Sequence, residues 1–350
     1  MSAAAWRLRG PATPALRRGA LAALPVGAGL LLDLGLDTPA AGAVSTGALI
    51  AGFVALDAPA RTRSQWQVMT APVIGSFAAI GVISGHSATF AVLVMTVLAT
   101  AAGFCVAVSP RLGTAGVMCV LALLIAQGLD VSMHEAVRAL LLATAGGLLQ
   151  AATSRVASVW ERGREPGALG ARARGARDAS VRNLTLESHA LRHALRWGVA
   201  LGAAVAVYRF VDLQGHGYWV PLTVLFVLRP ELDETVERVI MRAAGTLVGL
   251  SLATVFAEIF GYHVIPTAIL LTVAAACAYT MVAVEYAVFT AAISVYVVLL
   301  ADAVGEHAWH AADQRALATL IGSAIAGLAL VLWPTPPESR EPASIARSPE

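Results

Sequence analysis

Apolar segments of about 20 residues recur from one end of this 350-residue chain to the other, and that recurrence points to a lipid bilayer as its solvent. Charge agrees. Asp, Glu, Lys and Arg make up 13% of residues against 58% hydrophobic, with mean hydropathy +0.73. A soluble domain carries about 25% charged residues. The pattern predicts an all-α polytopic helical membrane protein with twelve spans, at 16–34, 41–56, 68–84, 88–107, 113–128, 136–153, 194–211, 217–228, 240–260, 264–281, 285–301 and 314–333. Thr13-Pro14 and Ser109-Pro110 supply a capping hydroxyl followed by proline at the start of spans one and five.

All 24 basic residues are arginine, as in a GC-rich bacterial coding sequence, and their placement sets the expected orientation. With the N-terminus inside, Arg7, Arg9, Arg17, Arg18, Arg61, Arg63, Arg111, the group from Arg155 to Arg196, Arg229, Arg238, Arg242, Arg340 and Arg347 fall on the cytoplasmic side. Only Arg138, Arg209 and Arg315 fall outside, which is the bias that membrane insertion favours. Both termini are therefore expected in the cytoplasm of a cell (plasma or inner) membrane protein. Residues 1–43 also follow the order of a cleaved signal peptide, with arginines, an apolar run and Ala-Gly-Ala; a retained first span is the expectation adopted.

The expected organisation is a first six-span repeat over 1–155, an Arg-rich cytoplasmic linker over 156–192, a second six-span repeat over 193–334 and a disordered cytoplasmic tail over 335–350. Matches recur in order: Leu16-Arg17-Arg18 with Leu191-Arg192-His193, Asp57-Ala58-Pro59 with Leu228-Arg229-Pro230, and Arg138-Ala139-Leu140 with Arg315-Ala316-Leu317. Gly146 and Gly322 follow the last pair at similar distances. Six is even, so the expected symmetry is a parallel repeat about the membrane normal. Spans two and eight are short and interrupted, by Gly47 and Gly52 in one and Pro221 in the other. Broken helices at equivalent places in two repeats point to a transport pathway.

The second short span carries a recognisable segment, Tyr218-Trp219-Val220-Pro221-Leu222-Thr223 with Phe226 and Arg229-Pro230 after it. The next span opens Arg242-Ala-Ala-Gly245-Thr246-Leu-Val-Gly249. Together, over roughly 190–260, these resemble the fusaric acid resistance-like family, also called aromatic acid exporters. The resemblance implies a secondary exporter of aromatic or related organic acids and a retained first span. It also implies that some relatives carry a large soluble domain where this chain has its linker, and that some work with a periplasmic adaptor; whether an adaptor or self-association is used here stays open. A distant similarity to plant aluminium-activated malate transporters keeps a passive organic-anion channel as the alternative, and a non-transporting membrane scaffold as a third.

Trp219, Thr223 and Phe226 share a helical face and, with Tyr218, could stack an aromatic substrate, or Tyr218 and Trp219 could belong to an interfacial belt. Arg242 and Arg229 could bind a carboxylate through the guanidinium fork, or act as cytoplasmic anchors. Thr246 belongs to the same motif, while Gly245 and Gly249 form a small-xxx-small packing pair. Glu258 is the leading candidate for proton coupling, ahead of Glu285, Asp33 and Asp57. His189 with His193, and Glu306, His307, His310 and Asp313, lack the closed geometry of a metal site, so no metal or cofactor is expected. Cys105, Cys119 and Cys277 sit in apolar runs without ligand spacing. No phosphate loop, serine elbow or zinc-helix motif appears, so neither enzymatic chemistry nor a nucleic-acid partner is expected, only a small organic acid and the bilayer.

Overall fold

The computed structural model describes residues 13–36, 42–159, 189–211, 217–229, 232–260, 263–303 and 308–333. Every regular element among them is a helix: α1 (Thr13–Leu36), α2 (Ala43–Gly52), α3 (Ala60–Gly85), α4 (Ala88–Val108), α5 (Pro110–Gly128), α6 (Glu135–Ala157), α7 (His189–Phe210), α8 (Trp219–Val227), α9 (Leu232–Phe260), α10 (Val264–Met281), α11 (Tyr286–Ala303) and α12 (Ala308–Leu332). The linker over 160–188, the tail beyond 333, and Glu306 and His307 lie outside the described residues. Eight helices are long and apolar enough to cross a membrane. The remainder explain why twelve crossings do not follow from composition alone. α2 and the 286–301 part of α11 are apolar but short, α8 has nine residues, and α7 carries Arg192, Arg196 and Arg209.

Several helices begin before the apolar run that announces them. α3 opens at Ala60 rather than near 68, with Arg63, Ser64 and Gln67 all buried in its first two turns. They are buried because each finds an acceptor. Arg63 donates to Ser154 Oγ (3.2 Å) and Ala58 O (3.2 Å), Ser64 to Ala151 O (2.9 Å), and Gln67 to Ala51 O (3.2 Å). A hydropathy window cannot see such turns, because it scores these side chains as solvated.

The short helices are packed by the longer ones. α2 rests on α1 and α6, and α8 on α7 and α12; α3 packs against α5 and α6, and α9 against α11 and α12; α4 packs on α5, and α10 on α11. These pairings recur with a shift of six helices. The first helix of each set reaches across to the fourth of the other, α1 onto α10 and α7 onto α4. Both crossings use glycine against threonine. A Cβ at Gly198 would strike Thr100 Oγ1, and one at Gly202 would strike Thr96 Oγ1; Gly19 and Gly27 stand in the same relation to Thr280 and Thr272. Small residues allow the close approach that dispersion requires where lipid provides no hydrophobic drive.

The same device seats the short helices. Gly146 of α6 lies against Val44 O in α2, and Gly322 of α12 against Val220 O and the Thr223 side chain in α8. Gly327, five residues further along α12, faces open space. Gly322→Ala is therefore expected to lower the thermal unfolding midpoint of the detergent-purified protein, because a Cβ there would sit 2.6 Å from Val220 O. Gly327→Ala should raise it, by the roughly 1 kcal/mol that alanine gains over glycine in a helix. Equal behaviour of the two variants would mean that α8 is not seated on α12 as described.

Candidate functional site

α8 is apolar all round, and its residues from Trp219 to Leu225 are buried, as is Val227. Pro221 lies in its first turn, where a missing N–H costs no helical hydrogen bond. Thr223 donates to Trp219 O (3.1 Å), so its hydroxyl serves its own helix. Trp219 is 1% exposed and Phe226 is partly buried, seven residues apart on one face. Seven residues span about 10 Å along an α-helix.

An arginine stands over each of these rings. The Arg315 guanidinium, from α12, lies 5.3 Å from the Trp219 ring centroid, and that of Arg242, from α9, lies 5.7 Å from the Phe226 centroid. Arg315 is 0% exposed and Arg242 2%. Arg242 donates from Nη1 to the Tyr286 hydroxyl (3.4 Å), which itself donates to Phe226 O (3.4 Å). Among the described residues its Nε and Nη2 have no acceptor, nor do Nε, Nη1 and Nη2 of Arg315. The two arginines stand on helices that pack against each other, α9 and α12. One turn earlier on α9, Arg238 stacks over Tyr286 from 4.5 Å.

Burial alone does not make these arginines unusual, because two others are buried with acceptors for their terminal nitrogens, although Arg196 Nε has none among the described residues. Arg63 has the acceptors given above. Arg196 donates to Trp333 O (3.1 Å) and Arg229 O (3.1 Å). Arg138, the counterpart of Arg315 in the expected repeat, is exposed and paired with Glu135 at 2.9 Å. Among the described residues, neither Arg242 nor Arg315 has a carboxylate partner. An isolated buried ion costs several kcal/mol even after relaxation, while a ring offsets roughly 0.5–2 kcal/mol.

The remaining sequence candidates disperse. Thr246 is buried one turn beyond Arg242, with its hydroxyl unpartnered. Gly245 and Gly249 lie against Ala287 O and Ala291 O of α11. Tyr218 is partly buried at the start of α8, in edge contact with Trp219. Arg229 lies at the end of α8, its N–H donating to Thr235 Oγ1 (3.0 Å) and its carbonyl holding Arg196. Glu258 is exposed, four turns past Arg242 on α9, roughly 24 Å along the axis. Asp57 is exposed and Glu285 partly buried. Asp33 is buried and accepts the N–H groups of Val44 (3.1 Å) and Ser45 (2.9 Å) at the start of α2. His193 sits 3.2 Å from Arg196, a neighbour that repels a metal cation. A cleft of about 440 Å³ between α9, α10 and α11, bordered by Val248, Leu252 and Leu270, has no charged lining and cannot hold an anion.

Arg315 and Tyr286 were missed as site residues by sequence reasoning. Arg315 served only as a marker of the outer side and of the repeat, although an arginine two turns into an apolar helix is by default a candidate functional residue. Tyr286 carried no signal, standing at a turn between two apolar runs.

Comparison with known proteins adds the family. Residues 198–329 match the family described as fusaric acid resistance protein-like. That match covers less than half of the chain and lies within its second half. The chain is similar to the inner membrane protein YccS of Escherichia coli (strain K12), 34% identical over 154 residues, which are 44% of this chain and 21% of YccS. It is 30% identical over 155 residues to the uncharacterized protein ORF2 of Neisseria gonorrhoeae, covering 43% of this chain and 36% of that one. The uncharacterized protein slr1298 of Synechocystis is 38% identical over 69 residues, 19% of this chain and 9% of its own length. The similarity thus spans well under half of each of these relatives. No solved structure matches. With the apolar helices, these findings describe a multi-pass membrane protein whose fusaric acid resistance protein-like segment contains Trp219, Phe226, Arg242, Tyr286 and Arg315.

A buried charge held without a counter-ion should cost stability in the ligand-free protein. Arg315→Met is expected to raise the thermal unfolding midpoint, since replacing buried ions by apolar residues of similar size often stabilises by about 1–4 kcal/mol. A lower midpoint would show that Arg315 supports the fold.

Proposed function

We propose that the protein is a secondary transporter that exports aromatic or related organic acids across the cell membrane. The observation that carries this reading is the pair of buried, unneutralised arginines set against Trp219 and Phe226. A guanidinium binds a carboxylate through two parallel N–H bonds, and both arginines have N–H groups to offer. Stacking on the aromatic rings then favours substrates with a ring of their own, by about 0.5–1.5 kcal/mol per pair.

Support for a two-repeat architecture comes from helix pairings that recur with a shift of six, and from Gly146 and Gly322 playing matching parts beneath α2 and α8. In this reading the repeats rock about the short helices, with both termini and the 160–188 segment cytoplasmic. The arginines then lie along a route from the α8–α9 connection inward: Arg229, Arg238, Arg242, Arg315. The proton gradient drives export. The exposed position of Glu258 puts it far from the arginines, so coupling through that residue acts at a distance from the anion.

The test is flux in reconstituted vesicles with a panel of aromatic and aliphatic carboxylates, with and without a proton gradient. Accumulation against the substrate gradient is expected, whereas equilibration alone would indicate a channel and no specific flux a scaffold. Arg242→Ala should reduce carboxylate flux at least tenfold with normal expression. Arg242→Lys should restore it only in part, because the planar fork is lost. Trp219→Ala should weaken aromatic acids several-fold more than aliphatic acids of the same charge. A reporter inserted between 160 and 188 should read cytoplasm; an external signal there overturns the arrangement of six plus six.

A further inference from the structure

We infer that the site is built for a dianion: an aromatic acid with two separated acidic groups, one for Arg315 and one for Arg242. The inference rests on the proposed transport site and adds the charge and shape of its occupant. Two positive charges are buried on neighbouring helices, and among the described residues five of their nitrogens lack an acceptor, Nε and Nη2 of Arg242 with Nε, Nη1 and Nη2 of Arg315. A single carboxylate would neutralise one guanidinium and leave the other buried and unpaired. A second acidic group removes that residue of charge, and it does so where no side chain can, because neither arginine has an acidic partner among the described residues.

The arrangement also excludes a compact ion as the best fit. Arg315 stands over Trp219 and Arg242 over Phe226, rings placed two turns apart on α8, about 10 Å along its axis. Acceptors spread across a rigid ring match such a spacing, and the ring can lie against the aromatic face between the arginines. Tyr286 fixes one end, because its hydroxyl ties Arg242 to Phe226 O. Arg315 has no such tether and is the arginine that responds to the second acid.

Titration of the full-length purified protein, followed by tryptophan fluorescence, tests this with benzoate, isophthalate and terephthalate, and inorganic phosphate. At least one dicarboxylate is expected to bind ten-fold or more tighter than benzoate, and phosphate no better than benzoate. In Arg315→Gln the dicarboxylate advantage over benzoate should shrink to within two-fold. Dicarboxylates no tighter than benzoate in the unaltered protein would overturn the inference yet leave the carboxylate site standing. So would an advantage that survives Arg315→Gln. Phosphate binding as tightly as a dicarboxylate would overturn the separated-acid geometry. No binding of any aromatic acid would overturn both the dianion and the site on which it rests. The ligand comparison in the unaltered protein decides the matter even if the variant does not fold.

Discussion

A helix of nine or ten residues is too short to cross hydrocarbon, and its ends expose backbone groups that lipid cannot satisfy. α2 and α8 impose that requirement on everything around them. For α2 the answer comes from its neighbours. Asp33 takes two N–H groups at its start, while Gln67 and Tyr279 donate to Ala51 O (3.2 Å) and Leu49 O (2.8 Å) at its end. Those partners come from α1, α3 and α10, so satisfying one short helix fixes three long ones. For α8 the donor to Phe226 O is Tyr286 of α11, and the same hydroxyl accepts from Arg242. The need to satisfy a broken helix thus brings an arginine into the interior.

The two short helices differ in sign. The surroundings of α2 are neutral or acidic, with Asp33 held by backbone N–H groups, and its neighbouring arginine, Arg63, bonds to oxygens. The surroundings of α8 carry Arg242 and Arg315 with nitrogens unanswered. Packing cannot account for that difference, because alanine or leucine would fill the space without desolvating a charge. Natural sequences break the rule against unpaired buried charge mainly at functional sites. A bound anion would supply what Asp33 supplies to α2, namely negative charge at the start of a short buried helix.

Hydropathy made the twelve described helices legible apart from the first turns of α3, α9 and α12, and the two short ones were included, since apolar runs and Gly or Pro interruptions are local signals. The buried first turns of α3 were not legible, because Arg63, Ser64 and Gln67 are recognisable as interior residues only once Ser154, Ala151 and Ala51 are known to face them. The motif arginine Arg242 could be singled out from its neighbours in sequence. Arg315 could not be joined to it, as 73 positions separate them and only the packing of α9 on α12 brings them together. Thr223 misled for a local reason: it shares a face with Trp219, yet its hydroxyl bonds back to its own helix.

The crossings that join the two sets of six helices are suited to movement. Thr96 and Thr100 direct their hydroxyls to Val92 O (2.8 Å) and Thr96 O (2.8 Å), and Thr272 and Thr280 to Ala268 O (2.7 Å) and Ala276 O (2.7 Å). Each threonine therefore presents a polar group already satisfied within its helix, and the glycines opposite present none. Sliding α1 over α10, or α7 over α4, breaks dispersion contacts but no hydrogen bond made by these residues. A ligand shifts such an equilibrium only by its differential affinity for the two arrangements. An anion that neutralises Arg242 and Arg315 has that differential wherever the arginines are drawn together in one arrangement and parted in the other. Arg242 and Arg315 ride on α9 and α12, both in the second set, so an anion bridging them would act on the packing within that set rather than directly on the α1–α10 and α4–α7 crossings.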